Sequence, residues 1–245
     1  MYSIVVPAYK EQGRIGKTLE ELSHYFELNK ILVICDNDVE TCNVAREKGA
    51  TIYNTPQRLG KGGSLKEGLK MADGQVIIFL DADLPVSPDK ISEFLTIVKD
   101  YDLVIFKRRF SELPLLRKLL HEAFKFVVKL FFPSLIGVKD FQAGFKIIKR
   151  DKVNEVINEL IINDFLFDVN LIYAFKRRGF KIKEIPVEWK HEEKDSKISS
   201  SLLKIILLMF LSVIKLRVYY SPFKPLLRTK LYLKAESAIL NKLRS

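Results

Sequence analysis

The sequence predicts an α/β protein with a mostly parallel sheet that helices cover on both faces. Short and almost wholly apolar runs alternate with segments of helical periodicity in the first half of the chain. Strands of this kind, without a polar face, are typical of parallel sheets that are buried on both sides. A chain of 245 residues, 48% of them hydrophobic, is also long enough for one such domain with an appendage.

Five strands are predicted in the first half: SIVVPAY (3–9), ILVICDN (31–37), ATIYNTP (50–56), VIIFLDAD (76–83) and DLVIFKRR (102–109). Helices are predicted between them at about 14–26, 41–48, 60–74 and 88–99. Ligands of such sheets bind beyond the carboxyl ends of the strands. The loops that follow Val6, Ile34 and Leu80 are therefore expected to share one functional edge.

The second half is more apolar. Strands are predicted at 144–148 and 181–189 around a helix near 167–178, and a basic tail from residue 221 is expected to be helical toward 243. Two strongly apolar helices, 119–132 and 202–214, are shorter than the about 20 residues that cross a bilayer. They are expected to lie in a membrane interface, and homo-oligomerisation through the same faces is the alternative.

The net charge of +11 is concentrated in two apolar segments. Residues 107–150 carry 11 Lys or Arg against 3 Asp or Glu, and residues 202–245 carry 9 against 1. Basic residues beside Leu, Ile and Phe runs favour an anionic membrane surface. Nucleic-acid binding would need basic residues among exposed aromatics on a polar face, so no nucleic-acid partner is expected.

The cysteine pattern predicts neither a disulfide framework nor a zinc site. Cys35 and Cys42 are the only cysteines, without a C-x-x-C pair or a neighbouring histidine, and a reducing compartment is expected. Met1-Tyr2 leads directly into an apolar strand without a basic start, so no signal peptide is expected.

Two short motifs carry chemistry. Asp81-Ala82-Asp83 ends a buried strand, and alternating carboxylates there suit a hard divalent cation that also touches a diphosphate, with a solvated turn as the alternative. GKGG (60–63) opens a helix where backbone N–H groups and Lys61 would meet phosphate. It lacks the ending and spacing of a Walker A loop, and a flexible helix cap is its alternative.

Basic residues in the second half are further candidates. Four basic residues flank Pro114, namely Arg108, Arg109, Arg117 and Lys118. They would suit an anion site, and a basic face that is solvated or meets lipid headgroups is the alternative. His191 and Lys197 lie on a charged loop, where a histidine is usually just exposed.

Several blocks resemble glycosyltransferase family 2. IVVPAYKEQGRI is similar to its V-V-[IV]-P-[AV]-[YH]-N-E opening, and QRLGKGGSLKEGLKMADGQVIIFLDADLP to its R-x-G-K-G-x-A-x-x-x-G…D-A-D block. KDFQAGFKIIKR and FLFDVNLIYAFKRRGFKIKEIPVEWKHEEKDSKI resemble later blocks of the dolichyl-phosphate mannose and glucose synthases. The resemblance covers about residues 3–217. It implies a GT-A fold, with a catalytic domain at 1–200 that includes an acceptor-side helix at about 117–132, and membrane-associating helices at 201–245.

The resemblance also implies roles for single residues. The nucleotide sugar would be bound by Pro7, Tyr9, Glu11, Asp36, Lys61, Asp81, Ala82 and Asp83. Asp81 and Asp83 would be catalytic as ligands of Mg²⁺ or Mn²⁺. Asp140 is the candidate base, although a phosphate acceptor is already ionised and orienting the acceptor loop is the plainer role. The acceptor phosphate would be bound by Arg108, Arg117, His191 and Lys197.

Departures from the family pattern refine the expected substrate. Pro85 stands where mannose synthases often carry a metal-binding Gln, and His191 where they usually carry Arg, so UDP-glucose is favoured over GDP-mannose. Cys35 replaces the first acid of the usual V-D-D-G-S. The expected reaction is an inverting, metal-dependent hexose transfer to a dolichyl or polyprenyl monophosphate, by a peripheral protein without a transmembrane span at the cytoplasmic face of a membrane. A family 2 transferase with a soluble or polysaccharide acceptor remains the alternative.

Overall fold

The computed structural model describes residues 1–108, 115–188 and 202–244. Its strands are β1 (Tyr2–Ala8), β2 (Ile31–Cys35), β3 (Thr51–Asn54), β4 (Val76–Leu80), β5 (Leu103–Arg108), β6 (Phe145–Lys149) and β7 (Ile182–Val187). They form one sheet in the order β3-β2-β1-β4-β6-β5-β7. Only β6 runs antiparallel to its neighbours among these strands, which confirms the prediction of a mostly parallel sheet.

The helices of the described ranges are α1 (Ile15–Ser23), α2 (Val39–Glu47), α3 (Lys61–Met71), α4 (Pro88–Phe94), α5 (Leu115–Phe131), α6 (Arg150–Val156), α7 (Phe167–Arg177), α8 (Leu202–Tyr219) and α9 (Lys230–Arg244). The sequence prediction lacks α6, which is seven residues long and too short to show a helical period. It also ends α8 five residues early. No helix in these ranges is long and apolar enough to cross a membrane.

Both faces of the sheet are buried under helices. Neighbouring residues of each strand point to opposite sides, so each strand contributes to two cores. Ile4 and Val6 of β1 pack into one core with α1 and α2, and Val5 packs into the other with α3 and α7. The second core also takes in Val213 and Leu216 of α8, which are fully buried. This helix is therefore packed against the sheet domain through one face.

A disulfide joins Cys35, at the end of β2, to Cys42 in α2, with Cα atoms 5.8 Å apart. The prediction that the cysteines form no disulfide is wrong. After β2 the chain turns at once into α2, and this helix brings Cys42 back against the strand end. That return is a tertiary contact that the sequence spacing does not reveal.

Candidate active site

A cleft of about 430 Å³ opens at the carboxyl ends of β1, β2 and β4. The chain passes from β1 to β2 and β3 on one side and then crosses to β4 on the other side, and such a switch point is where open α/β sheets bind ligands. The structure brings together on this cleft all eight residues that the sequence assigned to the nucleotide sugar: Pro7, Tyr9, Glu11, Asp36, Lys61, Asp81, Ala82 and Asp83. Five lining residues were missed: Ala8, Arg14, Arg58, Ser64 and Phe165.

Backbone hydrogen bonds within the chain hold the acidic turn, residues 81–83, that follows β4. The Asp81 N–H donates to the Gly144 carbonyl at 3.2 Å, and the Leu84 N–H donates to the Asp81 carbonyl at 3.1 Å. Leu84 has a left-handed φ of 46°, which closes the turn tightly. A Cβ atom on residue 144 would collide with the Asp81 carboxylate. Glycine at this position therefore leaves the space that the carboxylate occupies.

Charge is balanced across the acidic turn by Lys61, whose Nζ lies 2.7 Å from Oδ1 of Asp81. Burial alone would lower the pKa of Lys61, but the charges of Asp81, Asp168 and Asp83 raise it above its ordinary value. Partial desolvation by the surrounding cleft, together with the charge of Asp81, raises the pKa of Asp83, although the residue as a whole is exposed. The two carboxylates thus repel each other at a site with one ammonium beside it.

The donor atoms of the acidic turn fit a hard divalent cation. Carboxylate oxygens are the ligands that Mg²⁺ and Mn²⁺ prefer. Within the described ranges no group of three or more His, Cys, Asp or Glu side chains could hold a metal. A cation on Asp81 and Asp83 would therefore complete its shell with oxygens from substrate and water, as Mg²⁺ does beside substrate phosphates.

The loop that leads into α3 is fixed by Asp36, which is buried at the end of β2. Its carboxylate oxygens accept the N–H groups of Leu59 at 2.6 Å and of Gly60 at 2.9 Å. Arg58, in the same loop, stacks on the Tyr9 ring with its guanidinium carbon 3.7 Å from the ring centre. Asp36 thus binds backbone here, and its predicted contact with a nucleobase stays a prediction.

On the predicted acceptor side, Arg108 forms a two-pronged ion pair with Asp140. The Nε and Nη2 atoms of Arg108 each lie 2.9 Å from a carboxylate oxygen of Asp140. The backbone N–H of Arg108 also donates to Oδ2 of Asp140, at 3.2 Å. Burial alone would raise the pKa of Asp140, which is 1% exposed, but Arg108 holds this pKa below its ordinary value. A carboxylate in that state is a weak base, so its surroundings favour the orienting role.

The remaining acceptor-side predictions are not tested by the structure. Arg117 lies in the first turn of α5, where only the backbone is described, and His191 and Lys197 lie outside the described residues. Their roles stay predictions.

Sequence reasoning also missed a buried ion pair beneath the acidic turn. Lys146 of β6 lies with its Nζ 2.7 Å from Oδ1 of Asp168 in α7, and both side chains are buried. They line a small cavity of about 10 Å³ that Lys61 and Asp81 also line. The sequence feature that could have indicated this ion pair is Lys146 within the otherwise apolar run FKII. A solvent-exposed lysine at the edge of a sheet would give the same sequence pattern.

A sequence profile of glycosyl transferase family 2 matches residues 3–157. The chain belongs to this family. It is a glycosyltransferase, as the resemblance of its motifs predicts. The chain is 27% identical over 248 residues to a dolichyl-phosphate beta-glucosyltransferase of Trichomonas vaginalis, covering 89% of this chain and 73% of that protein. It is 25% identical to the dolichyl-phosphate beta-glucosyltransferase of Homo sapiens, covering 78% of this chain and 68% of that one.

The fold is shared with an enzyme of known crystal structure. A crystal structure of glucosyl-3-phosphoglycerate synthase from Mycobacterium tuberculosis, in complex with Mn²⁺, UDP and glucosyl-3-phosphoglycerate, superimposes with a TM-score of 0.68. The sequences are 20% identical, and the match covers 89% of this chain and 78% of that one. This likeness confirms the predicted GT-A fold.

Proposed function

We propose that this family 2 glycosyltransferase moves glucose from UDP-glucose to a dolichyl or polyprenyl monophosphate at a membrane surface. The observation that carries the proposal is the cleft on which the acidic pair, Lys61 and the start of α3 converge. Two further facts support it: the relatives named dolichyl-phosphate beta-glucosyltransferases, and a structure of the same fold that contains UDP and Mn²⁺.

The nucleotide occupies the β1–β2 side of the cleft in this proposal. Tyr9, held by the stacked Arg58, offers an aromatic face against which a nucleobase packs. Asp36 keeps the α3 loop in place through its two backbone hydrogen bonds. The diphosphate then lies at the start of α3, where the helix dipole and Lys61 favour negative charge.

The reaction breaks the bond between the anomeric carbon and the diphosphate oxygen, and an oxygen of the acceptor phosphate bonds to that carbon from the opposite face. Negative charge develops on the leaving diphosphate. Lys61, kept protonated by its acidic neighbours, stabilises this charge in a partly buried site. When bound on Asp81 and Asp83, a divalent cation would supply Lewis-acid stabilisation of the same charge.

The acceptor phosphate needs no strong base, because a phosphate monoester is already ionised near neutral pH. Asp140 therefore stays a carboxylate and orients Arg108, whose side chain is 20% exposed. Inversion follows from the single displacement. Arg117, His191 and Lys197 complete the phosphate site in this proposal.

The lipid tail of the acceptor calls for a membrane-facing surface, which we assign to the exposed apolar residues of α5, α8 and the C-terminal segment. They are Leu119, Phe126, Leu130, Ile206, Leu207, Phe210, Ile214, Phe223, Leu226, Leu231, Leu233 and Ile239. Phe131 contacts Phe210 edge to face at 6.5 Å, which joins α5 to α8. Basic residues among them, such as Lys129, Lys204 and Lys224, attract an anionic leaflet by about 1 kcal/mol each.

The test supplies the full chain with radiolabelled UDP-glucose or GDP-mannose, dolichyl phosphate in liposomes, and Mn²⁺ or Mg²⁺. We expect label from UDP-glucose in the organic phase. Label from GDP-mannose alone would replace the glucose proposal with the mannose reaction. No organic-phase label from either donor would overturn the lipid acceptor and leave the soluble-acceptor alternative.

A further inference from the structure

Ser64 of α3 carries a buried hydroxyl that the described part of the chain leaves without a hydrogen-bond partner. The side chain is 1% exposed. A serine in a helix often donates its hydroxyl to the carbonyl four residues earlier; here the Gly60 carbonyl accepts the Ser64 N–H at 2.9 Å, as in any helix, and does not accept the hydroxyl. Leaving a buried hydroxyl unpaired is costly, so such a group needs a partner that comes from elsewhere.

The position of Ser64 is central to the cleft. Gly60 and Lys61 precede it by four and three residues, so all three share one face of the chain as it enters α3. The Gly60 N–H binds Asp36 beyond β2, and Lys61 binds Asp81 beyond β4. Since β1 lies between β2 and β4, Ser64 lies over the middle of the cleft floor, which it lines.

The same helix face is directed at β1. A Cβ atom on Gly68, one turn further along, would collide with the Val5 side chain of that strand. Ser64 thus lies between the residues that bind loops, Gly60 and Lys61, and the residue that packs on the sheet, Gly68, and it lines the cleft.

The start of α3 attracts an anion by its own construction. The helix has 11 residues and begins at Lys61, with Gly60 as an N-cap that offers no side-chain hydrogen bond, so its first turn presents partial positive charge to the cleft. Lys61 adds a full charge. A hydroxyl in that turn, able to donate to a phosphate or ribose oxygen, completes a built site for a phosphorylated ligand.

We propose that the Ser64 hydroxyl is a binding group for the nucleoside diphosphate of the donor. This inference rests on the proposed function, because it needs a nucleotide in the cleft. The R-x-G-K-G-x-A pattern that the chain resembles has alanine at this position, so the hydroxyl adds a contact beyond those that the pattern implies. It tightens the hold on the nucleotide, which supplies the hydrogen-bond partner that the described residues do not.

The experiment measures the dissociation constant of UDP, with Mn²⁺ present, by calorimetry on the full chain. We expect Ser64→Ala to weaken UDP binding about three- to tenfold, which is the range of one neutral hydrogen bond. The melting temperature should not fall, because the change removes an unpaired hydroxyl and leaves a good helix former. Ser92→Ala, an exposed serine in α4, should change neither quantity.

Ser64→Cys separates hydrogen bonding from packing, since it keeps the volume and replaces the hydroxyl with a weak donor. We expect it to bind UDP as weakly as Ser64→Ala. Wild-type affinity in Ser64→Ala would overturn the inference and leave the proposed function standing. Wild-type affinity in Ser64→Cys alone would assign the effect to packing and overturn it too. A wild-type chain that binds neither UDP nor GDP would overturn the proposed function together with the inference.

Discussion

Lys61 Nζ lies 2.7 Å from Asp81 Oδ1, and this ion pair ties the start of α3 to the end of β4. The two elements follow each other in the chain, and α3 packs on β1, the strand beside β4, so the start of the helix comes to lie next to the end of β4. The pair places an ammonium beside the carboxylates on which a cation would sit. The cleft therefore holds positive charge next to the proposed diphosphate position before any ligand arrives.

Replacing Lys61 with Met should lower kcat for sugar transfer about 10²- to 10³-fold, as expected when a preorganised group that stabilises developing charge is lost. The apolar stem is kept, so the helix should still form. Lys70→Met is the matched control on the same helix, where the lysine is exposed and pairs with Glu67. Steady-state kinetics with both variants checks this, and a Lys61→Met enzyme with wild-type kcat would contradict the role.

Asp83→Asn should abolish transfer and the response to Mn²⁺ without lowering stability. Partial desolvation and repulsion from the charge of Asp81 raise the pKa of Asp83. A neutral amide removes that repulsion but is a far weaker cation ligand. Activity against Mn²⁺ concentration, with thermal melts, is the measurement, and Asp89→Asn on the exposed start of α4 is the control. Metal-stimulated activity in Asp83→Asn would rule out this ligand.

Asp140→Asn should destabilise the fold by about 3 kcal/mol at pH 7, because it breaks the two-pronged ion pair with the partly buried Arg108. The loss should depend on pH. Burial alone would raise the pKa of Asp140, and Arg108 lowers it below the ordinary value. A lowered folded pKa gives stability that is present at neutral pH and is lost as pH falls below about 4. Urea unfolding of both proteins between pH 3 and pH 7 should show the curves converging at the acid end.

Variants of Asp140 and Arg108 also distinguish an orienting role of Asp140 from a role as general base. If Asp140 acts through Arg108, then Asp140→Asn and Arg108→Ala should lower kcat/KM by similar factors, and the double variant should lose little more. A general base would instead make Asp140→Asn far worse than Arg108→Ala. Single-turnover kinetics on the three variants distinguishes the two outcomes.

The buried pair of Lys146 and Asp168 gives a stability prediction. Lys146→Met should cost about 3–5 kcal/mol, because it leaves a carboxylate uncompensated in the core. Lys146→Met with Asp168→Leu should recover part of that loss, since an apolar pair of similar volume often equals a buried ion pair. Urea midpoints report both values, and an additive double variant would contradict the coupling.

The sequence could predict the site where a strand-end rule applies. Pro7, Asp36 and Asp81 each follow or end an apolar run, and parallel strands bring such ends to one edge. Ser64 and Phe165 line the same cleft but carry no strand-end signal, because α3 and the segment before α7 reach the cleft only through tertiary packing. The antiparallel course of β6 and the disulfide of Cys35 are likewise set by how the chain returns, which a local pattern does not record.

The membrane-facing surface gives the last prediction. Phe126 of α5 is 69% exposed, so Phe126→Glu should leave the thermal melt unchanged. Moving the Phe side chain out of lipid removes about 2 kcal/mol of transfer free energy, and the added charge is repelled by an anionic leaflet. Binding to liposomes with anionic lipid should therefore fall at least tenfold in a flotation assay. Tyr25→Glu, at a residue 53% exposed just beyond the end of α1, is the control. If the Phe126 variant and the wild type float equally well, Phe126 and its face of α5 are not part of the membrane-facing surface.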